Sequence, residues 1–209
     1  AYVISLERDA GLLRREGVDL LFAPSVEEIY PAGYQTTVTV SEVSKPFEGA
    51  LRPGHFTGVA SVVSILFNIV QPDVAIFGEK DWQQLAIIRR MVRDLNFPVE
   101  IVASPTVRES DGLAASSRNA YLTPEESALA PQIHAAMQAA AAKVKNPAAI
   151  VKALVRAVEK IPNTRLDYAE VVDAVSLMPL KDRKSEGRLA VAVFLGKARL
   201  IDNIPLPPL

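Results

Sequence analysis

Residues 73–85, Asp73-Val74-Ala75-Ile76-Phe77-Gly78-Glu79-Lys80-Asp81-Trp82-Gln83-Gln84-Leu85, pass from a short apolar run rich in strand formers into a stretch that reads as a helix. Leu85, Ile88, Met91, Val92 and Leu95 recur at helical spacing, which predicts a helix from about Asp81 to Leu95. Pro98-Val99-Glu100-Ile101-Val102 follows as a second apolar run. Strand, helix and strand in this order are the signature of a parallel sheet and set the fold class as α/β. The junction also matters chemically. Lys80 and Asp81 fall near a helix N-terminus, where unpaired N–H groups and the helix dipole favour an anion.

Upstream, a helical pattern runs from Ser5 through Leu6, Leu12 and Leu13 to Gly17, and the apolar run Val18 to Ala23 reads as a buried strand. Ser25 and Glu28 have the spacing of a capping box. The alternation in Gln35-Thr36-Thr37-Val38-Thr39-Val40 predicts another strand. A loop containing Lys45, Pro46, Gly49, Pro53 and Gly54 then leads into a helix over Thr57 to Val70, whose apolar residues wrap most of its circumference and predict burial.

Beyond Pro105 the pattern changes. A polar loop, Thr106 to Asn119, precedes Thr123-Pro124-Glu125-Glu126, which combines an N-cap, a proline at the first helical position and a capping-box glutamate. The alanine-rich helix that begins there runs to about Lys145 with a kink at Pro131, and Asn146-Pro147 restarts a second helix to form a helical hairpin. Leu166 to Val172, Leu189 to Phe194 and Ala198 to Ile201 read as strands, the last two joined as a β-hairpin at Leu195-Gly196-Lys197. Residues 1–105 are therefore assigned to a parallel-sheet domain and residues 106–209 to a smaller α+β domain.

Bulk charge narrows the partners. Lysine and arginine number 23 against 24 aspartates and glutamates, a net charge of −1, so nothing points to nucleic acid or a membrane surface and any cationic site must be local. Cysteine is absent, which excludes disulfides and thiolate metal sites and fits a reducing compartment. No apolar run reaches the ~20 residues of a membrane span, and no signal-peptide pattern opens the chain. Ala1 stands inside a helical pattern, which leads to the expectation of further sequence upstream.

Three polar clusters fall in loops or at element ends, where sites usually lie. They are Glu48 to Phe56, Gly78 to Gln84, and Arg108-Glu109-Ser110-Asp111-Gly112 running on to Ser116-Ser117-Arg118-Asn119. Gly78 permits close approach of a ligand to the backbone, Lys80 offers a mobile cation for a polyphosphate, and Asp81 is placed to accept from a sugar hydroxyl. Gln84 lies one helical turn beyond Asp81 on the same face. Ser116, Ser117 and Arg118 combine hydroxyl donors with a guanidinium fork suited to phosphate oxygens. Together they suggest a nucleotide.

Singly, each feature also has an ordinary reading. A Lys-Asp pair at a helix start is more often a solvated cap, and Ser-Ser-Arg-Asn is mostly a turn. His55 fits a loop hydrogen bond as well as a functional role, whereas His134, inside the alanine-rich helix, reads as structural. Trp82 reads as packing rather than base stacking, and Lys181-Asp182-Arg183-Lys184 as a solvated turn. There is no Gly-x-Gly-x-x-Gly, and Gly49 to Gly54 only mimics P-loop spacing, with His55 where lysine is required. No histidine pair has metal-ligand spacing, although Mg2+ bound mainly by nucleotide phosphates needs few protein ligands.

Arg52-Pro53-Gly54-His55-Phe56, Phe77 to Leu85, Arg108-Glu109-Ser110-Asp111-Gly112-Leu113, Ser116-Ser117-Arg118-Asn119 and Arg199-Leu200-Ile201-Asp202-Asn203, taken in order, resemble the pantothenate synthetases, the pantoate-β-alanine ligase family. The resemblance covers nearly the whole chain. It implies a Rossmann-like ATP- and pantoate-binding domain, N-terminally truncated here, followed by a lid-like domain. It implies an AMP-forming carbon–nitrogen ligase that activates pantoate with ATP to a pantoyl adenylate, releases pyrophosphate and passes the acyl group to β-alanine. The implied ATP contacts are Gly78, Glu79, Lys80 and Asp81, with Lys80 on the phosphates and Gly78 and Asp81 near the ribose, together with the Val107 backbone at the adenine and Ala115, Ser116, Ser117 and Arg118 closing over the nucleotide. Lys80, Ser116, Ser117 and Arg118 carry the implied catalytic role, Gln84 holds pantoate, and Arg52 and His55 belong to a bordering loop. The family further implies Mg2+, a homodimer and a cytoplasmic location.

The chain also departs from the family pattern. Relatives carry, ahead of the region matched here, a first strand and a His-x-Gly-His motif that grips the triphosphate, and the 209 residues contain no such motif. The expectation is that these residues alone are poorly active. Tyr2-Val3-Ile4-Ser5 stands in place of Tyr-Pro-Arg, and Ala115 is smaller than the usual leucine or methionine, which enlarges the adenine pocket. Two competing expectations are a non-catalytic nucleotide-binding module and a related nucleotidyltransferase acting on another small acid.

Overall fold

β1 (Val74–Gly78) pairs in parallel with β2 (Glu100–Ser104), from Val74 opposite Glu100 to Gly78 opposite Ser104. The structure, a computed structural model, describes residues 5–209, so the reading of Tyr2 to Ile4 lies outside the described residues. They divide after Thr36 into two compact units. The first holds α1 (Leu6–Arg15), capped by the Ser5 side chain, and α2 (Val26–Ile29), where Ser25 and Glu28 complete the expected capping box.

Two expected strands are not present. Residues 18–23 join no ladder among the described residues, and Leu20 is 81% exposed. Apolar character alone does not make a strand; a paired neighbour must satisfy its backbone. The strand expected over Gln35 to Val40 is likewise unpaired. The Val38 N–H donates instead to the Ser61 hydroxyl, and the Val40 carbonyl accepts from Ser44, so side chains replace the ladder.

The second unit begins with α3 (Glu48–Leu51) and α4 (His55–Val70), the latter starting two residues before the expected Thr57 because Gly54, at φ +79°, adopts the left-handed conformation ahead of it. α4 buries Phe56, Ala60, Val63 and Phe67, whereas Ile69 and Val70 at its end are exposed, so only part of the helix is buried as expected. β1 leads through a 3-10 turn, Glu79–Asp81, into α5 (Trp82–Asp94), and Leu85, Ile87, Ile88 and Met91 are almost inaccessible. Burial of such side chains contributes about 1.5–3 kcal/mol each before conformational entropy is counted.

The remaining helices are α6 (Pro124–Leu129), α7 (Pro131–Lys143) and α8 (Pro147–Val158). Pro131 ends one helix and starts the next rather than bending a continuous one, since it supplies no N–H to the preceding turn. α7 and α8 contribute Ile133, Met137, Ile150 and Leu154 to a core shared with an antiparallel sheet. Its strands are β3 (Thr164–Asp173), β4 (Gly187–Leu195) and β5 (Ala198–Leu206), with β4 central. Val172 of this sheet packs in one cluster with Phe56, Ala86 and Ile87. The α/β class and the separate antiparallel sheet agree with the sequence reading.

The β4–β5 hairpin turns on Gly196-Lys197, with Leu195 opposite Ala198. Gly196 has φ +55°, and a Cβ there would collide with the Glu126 carboxylate that caps α6 by accepting the Thr123 N–H. Gly196→Ala is therefore expected to cost about 1–2 kcal/mol in urea denaturation, from left-handed strain and a disturbed cap.

Candidate functional site

The end of β1 delivers Lys80 and Asp81 into a cavity also lined by Glu48, Arg52, His55, Gln84, Arg118 and Tyr168. Sequence-distant segments thus converge: α3 and the residues that lead from it into α4, the turn after β1 with the start of α5, the 3-10 segment Ser117–Tyr121, and strands β3, β4 and β5. Lys80 also lines an adjoining cavity with Ser116, Asn119, His134 and Asp202. Gly78 has nothing within 4 Å of where a Cβ would stand, so space adjoins the backbone just before the turn.

Lys80 has its pKa lowered below the ordinary lysine value because partial burial disfavours its charge, with Arg118 adding repulsion and Asp81 opposing the shift. Since an anionic ligand needs that charge, anion affinity is expected to fall as pH rises through the lowered pKa, earlier than for an ordinary lysine. Lys80→Arg, which stays protonated, should remove this alkaline limb from a calorimetric pH series with ATP.

His55 opens α4, and its Nε2 lies 3.2 Å from Arg52 Nη1. A guanidinium can only donate, so Nε2 accepts and the ring is neutral. Burial first, and then Arg52, lowers its pKa accordingly. Protonation as pH falls would break this contact.

Glu48, at the start of α3, is held from the sheet. Arg199 donates to both of its carboxylate oxygens at 2.8 and 2.7 Å, and to Asp167 at 2.8 Å. The Tyr168 hydroxyl donates to Glu48 at 3.2 Å, and burial, reinforced by Glu48, raises the phenol pKa. The Gln83 amide donates to the Val43 and Pro46 carbonyls and accepts from the Glu48 N–H. This fixes the loop that presents Arg52 and His55.

Arg52, His55, Lys80, Asp81, Gln84 and Arg118 therefore share one cavity, and Ser116 joins Lys80 in its neighbour. Gly78, Glu79, Val107, Ala115 and Ser117 stand outside the lining of both. The Glu79 carboxylate accepts from Arg188 at 3.2 Å, and the Val107 carbonyl accepts from the Ala115 N–H at 2.9 Å. Ser116 accepts from the Arg118 N–H as the cap of the 3-10 segment. Trp82 packs as expected, with Arg188 3.5 Å above its ring and its indole N–H on the Ala174 carbonyl.

Sequence reasoning passed over Glu48, Gln83, Tyr168, Arg188 and Asp202 as individual residues. His134, read as structural, has Nδ1 3.1 Å from Asp202, which also takes both nitrogens of Arg108 at 2.8 and 2.9 Å. A signal was available: Arg188, Asp202 and Asn203 are charged or amide residues inside largely apolar strands, as is Arg199. Such groups are buried only with partners.

The family model described as Pantoate-beta-alanine ligase matches residues 1–205. A pantothenate synthetase of Moorella thermoacetica is 52% identical over 98% of this chain and 74% of its own length, and one of Thermus thermophilus is 51% identical over 99% and 76%. The crystal structure of the pantothenate synthetase from Thermus thermophilus superposes with a TM-score of 0.91 at 50% identity, over 99% of this chain and 76% of that one. The pantoate-beta-alanine ligase of Francisella tularensis, complexed with beta-gamma ATP and beta-alanine, superposes with a TM-score of 0.76 at 31% identity, over 97% of this chain and 70% of that one.

Proposed function

We propose, because this chain belongs to the pantoate-beta-alanine ligase family, that its cavity binds ATP and pantoate and forms pantothenate through a pantoyl adenylate. The observation that carries the reading is the convergence of Lys80, Arg118, Arg52, His55 and Gln84 in one cavity of a chain with nearly balanced total charge.

In the first step a pantoate carboxylate oxygen attacks the α-phosphorus of ATP, the bond to the β-phosphate oxygen breaks, and pyrophosphate leaves. Lys80 and Arg118 neutralise charge on the phosphates as it shifts toward the leaving group. Gln84, one turn into α5, orients pantoate by its amide. In the second step the β-alanine amine attacks the acyl carbon, the acyl–phosphate bond breaks, AMP leaves and the amine loses a proton. Positioning supplies most of the acceleration.

Glu79, Gly78 and Asp81 flank the nucleotide in this reading, Val107 and Ala115 the adenine, and Ser116 and Ser117 the phosphates. Among the described residues no group of three or more His, Asp or Glu could hold a metal. Mg2+ would therefore come with the ATP phosphates, which need few protein ligands. A cytoplasmic homodimer, and a division near residue 105 into a nucleotide domain and a lid, complete the proposal by family resemblance. Among the described residues no helix is long and apolar enough to cross a membrane.

The test is pantoate-dependent ATP–pyrophosphate exchange by the purified 209-residue chain, with ATP binding measured by calorimetry. The expected result is ATP binding with slow, pantoate-dependent exchange, slow because no His-x-Gly-His stands in these residues. Exchange as fast as that of the pantothenate synthetases the chain resembles would remove the expectation of poor activity. ATP binding without pyrophosphate release would indicate a non-catalytic module, and exchange driven better by another small acid a related transferase.

A further inference from the structure

We infer that Asn203 is a positioning residue for Lys80: from β5 it holds the backbone of the turn that carries the lysine. The inference rests on the proposed role of Lys80 as an ATP phosphate contact.

Asn203 is buried, and each of its side-chain polar atoms has a partner. Nδ2 donates to the carbonyls of Glu79 and Lys80, at 2.9 and 3.0 Å. Oδ1 accepts from Arg188 Nη1 at 3.1 Å. The amide can take only this orientation, since carbonyls cannot donate and a guanidinium cannot accept. Arg188 is itself fixed. Its Nη2 donates to the Glu79 carboxylate, and its guanidinium lies over the Trp82 ring. The turn is thus held through two carbonyls, one carboxylate and the indole that follows it.

No other side chain of this size supplies two N–H donors and an oxygen acceptor together. Aspartate keeps the acceptor for Arg188 but sets a carboxylate oxygen against two carbonyls that it cannot serve. The preceding residue has a parallel task, because Asp202 binds Arg108, whose Nη1 also donates to the Gly112 carbonyl at 3.1 Å in the loop leading to Ser116. Two adjacent residues of one strand therefore fix two separate polar segments of the proposed ATP site.

The test is a double-mutant cycle on ATP affinity, measured by calorimetry with the 209-residue chain. Asn203→Asp is expected to weaken ATP at least tenfold. In a Lys80→Ala background the same change is expected to weaken it at least threefold less than with Lys80 present, the remainder coming from Asp81 on the same turn and from the added carboxylate charge. Equal losses in both backgrounds, or no loss with Lys80 present, would overturn the inference. Asn203→Ser, which keeps one donor, goes through the same measurements and should fall between; urea midpoints establish that the variants compared are folded.

A readout without ligand uses Trp82, the single tryptophan of the chain. Asn203→Asp is expected to raise acrylamide quenching of its fluorescence at least twofold, and unchanged quenching overturns the inference. If the unaltered chain binds no ATP, the proposed function fails, and the quenching result alone decides the role of Asn203.

Discussion

Replacing Lys80 by alanine is expected to weaken ATP binding by about 1.5–3 kcal/mol, the range for hydrogen bonds to charged groups, or roughly 10–100-fold in affinity. Pantoate-dependent exchange should fall further, by about 10²–10³-fold, because the ammonium opposes charge that grows as pyrophosphate leaves. Lys80 is suited to this. Partial burial reduces competition from water, Asp81 and Asp202 help keep it charged, and its turn is tied to β5 through Asn203. Calorimetry with ATP, followed by exchange with and without pantoate, separates binding from the chemical step. An unaltered ATP affinity together with unaltered exchange would remove Lys80 from the phosphate site and leave the proposed function without its central cation.

Replacing Arg199 by methionine is expected to cost about 3–5 kcal/mol of folding stability, the usual penalty for breaking a buried ion pair from one side. Its guanidinium serves Glu48 and Asp167 together, and the side chains of these three are 22%, 13% and 16% exposed. Methionine fills similar volume, so the loss reports two stranded carboxylates rather than a cavity. Urea denaturation at pH 7 measures it. A loss under about 1 kcal/mol, the scale of an exposed pair, would mean that Glu48 and Asp167 find water or other partners. A second consequence concerns binding, since Glu48 opens the short helix α3 that leads to Arg52 and His55 at the cavity. ATP affinity should weaken in this variant even under conditions where it remains folded.

Local pattern located most elements because their signals are carried by neighbours in the chain. Helical spacing from Leu85 to Leu95 marked α5, capping residues marked α2 and α6, and a glycine turn between apolar runs marked the β4–β5 hairpin. The two failed strands had the right composition, but a strand also needs a paired neighbour, and residues 18–23 and 35–40 have none among the described residues. The same distinction divides the cavity. Lys80, Gln84, Arg118 and His55 were visible as polar residues at element ends, whereas Tyr168 sits in a strand pattern with nothing local to separate it from a packing residue.

The sequence by itself determined the α/β class, the family and the candidates for contact with an anion, because periodicity, caps and short motifs are properties of adjacent residues. Only the tertiary structure decided which of those candidates meet and what holds them. Asn203 lies 123 positions from Lys80 and Arg199 lies 151 from Glu48. Their hydrogen bonds exist because chain packing has already placed β5 beside the turn after β1, and no local rule encodes that proximity.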